Sequence, residues 1–420
     1  MIYLRIIFII FFISTNILTA QNGAFYTSNL QQSPLLIGAG QIGASIPNDD
    51  VLGFYYNPAI LGHSSRNNHA SFSFMPAQTE WYYSPQTTFN NYGLNLGYNF
   101  DPSVSKLPLS IGLGYLHNSF FFGEYNIYDP NTSEFIEKSK SYDEFDCFSI
   151  GAEIEYYLKF AVGFSLKSFN SNLGSAYING ELKPYSSKGT MFDYGILVTL
   201  PVSNLYFPNC AIELNDEINL KPLFNISLGN SFLNFGDEIS YFDESQKDPL
   251  ARTSRLGYTV EFGFDLNLKE VKIPLINYSF TAETEDLLLT EQNENNSVSS
   301  YQAINSDVNF IKHLIKLNPD NNIVVHKGHI FTFLNSFIYT VGSFQGRGYN
   351  TARKSDGIGI TTNGIFGLIN TISINSTINY ITKHFEIYYF DSNLFSENFD
   401  FGNTILNFDG ISISFKNFEL

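Results

Sequence analysis

A transmembrane antiparallel β-barrel is the fold class this chain predicts, and three observations predict it. Apolar/polar alternation with a period of two recurs along most of the 420 residues. Charged residues make up 15% of the chain, against about 25% in soluble domains, while aromatics reach 16% with 41 Phe and 27 Tyr. Mean hydropathy is nevertheless only −0.06, and past residue 20 no apolar run approaches the about 20 residues of a spanning helix. Low charge, many aromatics and average hydropathy together suit strands with one face toward lipid and the other toward a polar interior.

Residues 1–20 form an export signal. Arg5 supplies positive charge, Ile2 to Ile13 is almost wholly apolar, and Thr19-Ala20 offers a small-residue cleavage site. Removing them loses one Arg and no acid, so the net charge moves from −17 to −18. That acidity argues against a nucleic-acid partner, which needs a basic stripe. The next segment, 21–68, contains Leu36 to Ser45 and Gly53 to Gly62, too glycine-rich for a helix and too apolar for a solvated linker. Gly38, Gly40 and Gly43 allow tight turning and close approach. Asp49-Asp50 caps a turn or holds a cation, and Asn57-Pro58 and Gly62 are turn punctuation. The segment is expected to be a plug lodged inside the barrel built by residues 69–420.

In the strands, Leu109, Ile111, Leu113 and Tyr115 alternate with Ser110, Gly112 and Gly114. Phe148, Ile150, Ala152, Ile154 and Tyr156 alternate with Ser149, Gly151, Glu153 and Glu155. Tyr258 to Leu268 is the clearest case, within a 15-residue segment at 254–268 that exceeds the usual globular strand of about 5–6. A soluble sandwich alternates in the same way with its apolar face inward; the strand length favours the membrane. Further candidates lie at 70–76, 93–100, 159–169, 190–201, 222–233, 271–283, 329–340, 356–362, 384–390 and 408–418. With the three above they number thirteen; an even count is expected of such barrels, and the family resemblance given below implies about 14. Polar stretches at 127–144, 170–189 and 234–253 are expected as long loops. The small, polar inner face (Gly, Ser, Asn, Asp, Glu) is a poor lining for lipid.

An insert at about 284–328 breaks the alternation. Ile304, Val308, Ile311 and Ile315 recur at helical spacing, ended by Asn318-Pro319, and form a candidate partner-docking helix on the outer rim. Residues 364–383 hold a second short helical insert. Cys147 and Cys210 show no metal or redox spacing and leave a disulfide open. His326 and His329 are solvated loop residues or a weak metal site. No nucleophile, zinc or phosphate-loop motif is present, so no enzyme and no cofactor are expected.

The stretch Gly38-Ala39 to Gly43-Ala44, then Asp49-Asp50, then Tyr56-Asn57-Pro58-Ala59-Ile60-Leu61 resembles the N-terminal region of PorV/PorQ outer-membrane barrel proteins, relatives of FadL-type channels. Gly40-Gln41-Ile42 stands where that family usually carries an arginine-containing turn. The resemblance implies an outer-membrane location among lipids. It implies a role in type IX-like protein secretion or surface attachment, with secreted proteins or secretion components as partners at the extracellular loops. The alternative it carries is a passive channel for hydrophobic small molecules.

Overall fold

The computed structural model describes residues 23–80, 87–100, 108–178, 181–215, 217–242, 247–268, 271–290, 300–302, 307–373, 375–396 and 404–418. The signal at 1–20, the Lys269-Glu270 turn and Ile304 lie outside them. Strands β1 (His69–Glu80), β2 (Thr88–Asn99), β3 (Leu109–Tyr128), β4 (Phe135–Glu155), β5 (Lys159–Ile178) and β6 (Glu181–Leu200) pair antiparallel in chain order. The short β7 (Ile212–Asn215) pairs only with the start of β8 (Ile218–Phe235). β8 itself pairs with β6, so β7 stands outside the wall. The wall continues through β9 (Thr253–Leu268), β10 (Val271–Leu287), β11 (Ile323–Phe333), β12 (Phe337–Gly346), β13 (Tyr349–Thr361), β14 (Phe385–Ser396) and β15 (Thr404–Lys416). β15 pairs with β1, from His69 opposite Lys416 to Phe74 opposite Ile411, and closes a barrel of 14 strands. The start of β1 and the end of β15 therefore share one rim, the terminal rim, where Asn417 N–H donates to Asn68 O at 2.7 Å, while Ala24 bridges Leu250 at the opposite rim.

The fourteenth strand comes from the candidate at 329–340, which is two strands, β11 and β12, folded about 334–336. Two of the expected long loops are mostly strand. β3 and β4 pair out to Tyr128 and Phe135, and β5 and β6 out to Ile178 and Glu181. These extensions rise beyond the lipid, where both faces meet water and the alternation that marks a strand is lost. Residues 236–242 and 247–252 lie outside the strands of the wall.

The apolar side of the strands faces outward. Leu96, Leu113, Ile150, Phe164 and Tyr194 stand opposite one another on five successive strands, all exposed. Ser149, Glu153, Ser165, Lys167 and Asp193 point into the lumen and are buried. A water-soluble body would reverse this, since exposing so many large side chains costs about 25 cal/mol per Å2. This outer belt makes the barrel a transmembrane one.

Among the described residues, five short α-helices accompany the strands: α1 (Pro34–Gly38) and α2 (Ile60–Ser64) in the N-terminal segment, α3 (Val202–Tyr206), α4 (Asn363–Ile372) and α5 (Ser376–His384). α4 and α5 join β13 to β14 at the terminal rim, so this helical insert is on the opposite end from the 288–322 connection. The helical insert at 364–383 therefore does not lie on the outer rim, because β13 ends and β14 begins at the terminal rim.

Ile150→Arg places a cation in the middle of the belt. It is expected to lower folding stability in lipid vesicles by about 2–4 kcal/mol, whereas Phe135→Arg on the protruding tip of β4 changes it little; denaturant titration in vesicles checks both.

Candidate functional site

Residues 24–68 thread the lumen before β1 begins. Rows of glycine on the inner wall make the room. Gly97 stands opposite Gly112, Gly112 opposite Gly151, Gly151 opposite Gly163 and Gly163 opposite Gly195. On the other side Gly229 faces Gly257 and Gly328 faces Gly342. A Cβ at Gly163 would lie 2.2 Å from the Pro58 carbonyl carbon, and one at Gly342 2.2 Å from Gly40 N. The plug backbone thus presses directly on the wall backbone, as only glycine permits.

Backbone groups in a dry lumen need partners. Ser33 caps α1 by accepting from Leu36 N–H at 3.2 Å and donates to Asp50. Asp50 also accepts from Leu52 N–H, so it serves turn chemistry. Ser355 on β13 donates to Gly38 O at 3.0 Å and accepts from Gly40 N–H at 2.9 Å. Gly40 has φ +86°, a left-handed turn that glycine adopts without strain. Its carbonyl accepts from His326 Nδ1 at 2.9 Å, and the Gln41 carbonyl accepts from Arg255 Nη2 at 2.7 Å. Asn57 donates to Ala44 O and to Ile196 O on β6, and its Oδ1 accepts from Ala59 N–H. Gly62 O accepts from Ser110 Oγ at 2.6 Å.

The strongest anchor is Glu283 on β10, wholly buried. Its carboxylate accepts from three successive amides, Gly43 at 3.0 Å, Ala44 at 2.8 Å and Ser45 at 2.9 Å, and from Ser45 Oγ at 3.1 Å. Three converging N–H dipoles form an anion nest, and the charge strengthens each bond. Arg255 lies 3.9 Å from Glu283 and 3.1 Å from Glu285. Arg347 reaches Glu285 at 3.1 Å, and His326 Nε2 sits 3.3 Å from it. The Arg255 guanidinium also covers the Tyr56 ring at 3.8 Å. Two carboxylates thus meet two guanidiniums around residues 40–45.

Two further ion clusters hold the plug. Buried Lys167 pairs with buried Asp193 at 2.7 Å and lies 4.3 Å from the Tyr55 ring. Asn234 joins this pair to Asn29 of the plug through a 2.6 Å bond. Below it, Arg66 pairs with Glu153 and Glu155, and His63 Nδ1 is 3.1 Å from Glu153.

The lumen wall changes character along its length. Toward the terminal rim it is small and polar, with two cavities of about 300 and 200 Å3 that share Asp49. Toward the far rim apolar and aromatic clusters join the buried ion groups described above. Phe25 and Tyr55 of the plug stack on Phe145 and Phe169 beside Leu116, Met191 and Leu233. Ile37 packs with Met75, Phe89, Phe120 and Phe408. The expectation of a small, polar inner face is therefore corrected in part: toward the far rim aromatic clusters interrupt it. The reason is register. The alternation names two faces but says nothing of how a face varies with depth.

Among the candidate residues, Gly38, Gly40, Gly43, Asn57, Pro58 and Gly62 all touch the wall, while Asp49 and Asp50 lie at the cavities. The helical spacing of Ile304, Val308, Ile311 and Ile315 yields only a π-helical turn, Phe310–Ile315, with Val308 before it. Ile311 and Ile315 are exposed, and Leu314 and His313 are buried. Asp320 folds this connection: it accepts from Lys312 Nζ at 2.5 Å, His313 Nε2 at 3.1 Å and the amides of Asn322 and Ile323. Glu283, Glu285, Arg255 and Arg347 were not legible as site residues. Glu283 and Glu285 stand two apart on one strand face, which is the signal, but they look like the start of an acidic loop. His326 lies inside β11 and not in a loop. Cys147 is buried, Cys210 is exposed, and both are free thiols. Among the described residues no group of three His, Cys, Asp or Glu is placed to hold a metal ion.

Barrel and lodged segment together define a plugged transmembrane β-barrel. No protein-family model and no curated protein matches the chain. Similar solved structures include the Pseudomonas putida toluene transporter TodX, at 10% identity over 93% of this chain and 99% of that one, TM-score 0.42. The CymD monoaromatic hydrocarbon channel matches at 10% identity over 91% and 97%, TM-score 0.39. A Pseudomonas aeruginosa FadL homologue matches at 10% identity over 92% and 98%, TM-score 0.38. Likeness at this level concerns coarse barrel shape.

Glu283→Ala leaves the Arg255 and Arg347 charges in excess and three amides unpaired. Local opening of 40–46 is expected to become easier by about 3 kcal/mol, about a hundredfold in amide exchange at 43–45, with the barrel still folded. Hydrogen exchange with mass spectrometry reads both.

Burial works against ionisation of Asp320, but Lys312, the two amides and His313 outweigh it and hold the carboxyl down at about 2. A lowered folded value means that its contribution is complete above the ordinary 3.8 and is lost as pH falls through about 2. Exchange protection of 309–323 is expected to be equal at pH 7 and pH 5 and to drop between about pH 4 and pH 2; Asp320→Asn removes that dependence.

Proposed function

We propose that this chain is an outer-membrane channel for small hydrophobic compounds, closed at rest by its plug. One observation carries the reading: in the half of the lumen away from the terminal rim, Phe89, Phe120, Phe145, Phe169, Met191 and Phe408 point inward. A pore for ions or sugars is lined by polar groups, whereas sites for apolar ligands are lined by aromatic and aliphatic side chains with few polar ones. Here Phe25, Ile37 and Tyr55 of the plug occupy the place an apolar ligand would take. In this reading the rim where β1 begins and β15 ends, the side of the short turns, faces the periplasm, so the aromatic clusters lie toward the cell exterior. Displacing the plug side chains there hands a solute to the polar vestibule beneath.

A second reading is surface docking of exported proteins in a type IX-like pathway. Its support is the exposed Phe310, Ile311 and Ile315 on the outer connection, together with the resemblance of residues 38–61.

Cells lacking the gene are compared with cells restored by the intact chain or by a Phe120→Asp/Phe145→Asp variant, following entry of a labelled alkyl-chain probe. The expected result is fast entry only with the intact chain. Unchanged entry in the deletion strain, together with loss of exported proteins from the cell surface, would replace the channel with the docking role.

A further inference from the structure

The helices α4 and α5 point to a second contact with the membrane. α4 is tied at its start to the β11–β12 turn: Gly364 N–H donates to Asn335 O at 3.1 Å, and Ile365 N–H to Ser336 Oγ at 3.0 Å. It then crosses the rim to β10, where Gly367 lies against Ile273 and Val271. The bulge between Pro274 and Ile276 reverses the faces of β10. Lys272 and Pro274 line the lumen cavity, so Val271 and Ile273 face out of the barrel. Ile273 would belong to the lipid belt, yet it is only 2% exposed, because α4 covers it from outside.

α5 docks on the same outer side. Its N-terminus is capped by Asn375, which accepts from Thr377 and Ile378. At its end His384 donates from Nδ1 to Lys416 O at 2.7 Å and stacks on the outward-facing Phe415 at 5.6 Å. Tyr380 adds a ring 4.5 Å from His384, and Phe385 packs on Phe415. Aromatic clusters of this kind mark the level of the headgroups on a membrane barrel.

Each helix leaves an apolar stripe unpartnered. Ile365, Ile369 and Ile372 recur at i, i+4 and i+7 on α4, and Ile378 and Ile381 at i and i+3 on α5. Ile372 is 81% exposed. These stripes continue the lipid-facing belt of β10, β14 and β15 past the rim. The geometry points to a lipid surface as their partner: the α4–α5 hairpin lies in the periplasmic interface of the bilayer, apolar stripe in the acyl boundary, as surface-lying amphipathic helices do. The hairpin begins at Thr361 and Asn363 and ends at Glu386 and Tyr388, all of which line the smaller cavity at the lumen mouth. It is therefore a lipid-held arm attached directly to that mouth.

The test uses the full chain in phospholipid nanodiscs, with its one tryptophan, Trp81, changed to Phe and Ile372→Trp introduced. A second variant carries Ile381→Trp on α5 in case the first fails to fold; heat-modifiable gel mobility reports folding. The expected result is blue-shifted emission that loses most of its intensity in discs of brominated-chain lipid and little to aqueous iodide. Strong iodide quenching with no effect of bromine overturns the assignment. Shielding from both quenchers also overturns it, since a second copy or another protein would then cover the stripe.

Discussion

A buried carboxylate inside the barrel ties the plug to the wall. Glu283 receives three consecutive amides of the plug, buried groups that need a partner. The carboxylate in turn would be costly to bury alone. Arg255 and, through Glu285, Arg347 balance its charge. Each partner is tolerable in the lumen only because the others are present, so plug and wall specify one another.

The glycine rows are the steric half of the same arrangement. A hydrogen bond from the plug backbone to a wall side chain requires the two backbones to approach closely, and any Cβ at Gly163 or Gly342 would prevent that. What looks along one strand like a small, wet face is, around the circumference, a seat shaped for another piece of chain. The outer face needs nothing comparable. Leucine, isoleucine and phenylalanine there meet fluid hydrocarbon, which demands apolarity and no particular shape.

Depth supplies the functional contrast. At the terminal end the lumen holds polar cavities around Asp49; at the other end it is packed with rings from both plug and wall. A plug that merely filled space could be uniform. In the proposed channel role, a plug that parts to admit an apolar solute needs a greasy surface on the side of entry and a wet one on the side of release. The α4–α5 arm sits beside the wet end, so lipid contact and lumen mouth share one short connection.

The sequence alone determined the barrel, its lipid-facing side and thirteen strand segments, because a two-residue period is a local property of the chain. Even there, the 329–340 segment concealed a turn, and the protruding pairs of β3–β6 looked like loops once water bathed both faces. It also singled out residues 38–62 as an unusual segment, since glycine and proline spacing is visible in one dimension. Only the tertiary structure decided what that segment touches. Glu283, Arg255, Arg347 and His326 come from four places along the chain, and closure of the sheet brings them to one point. Closure likewise turned the 363–384 insert to the terminal rim and gathered aromatic clusters toward the far one. Position around a circumference and depth along an axis are set by strand register, and register arises from pairing between distant segments.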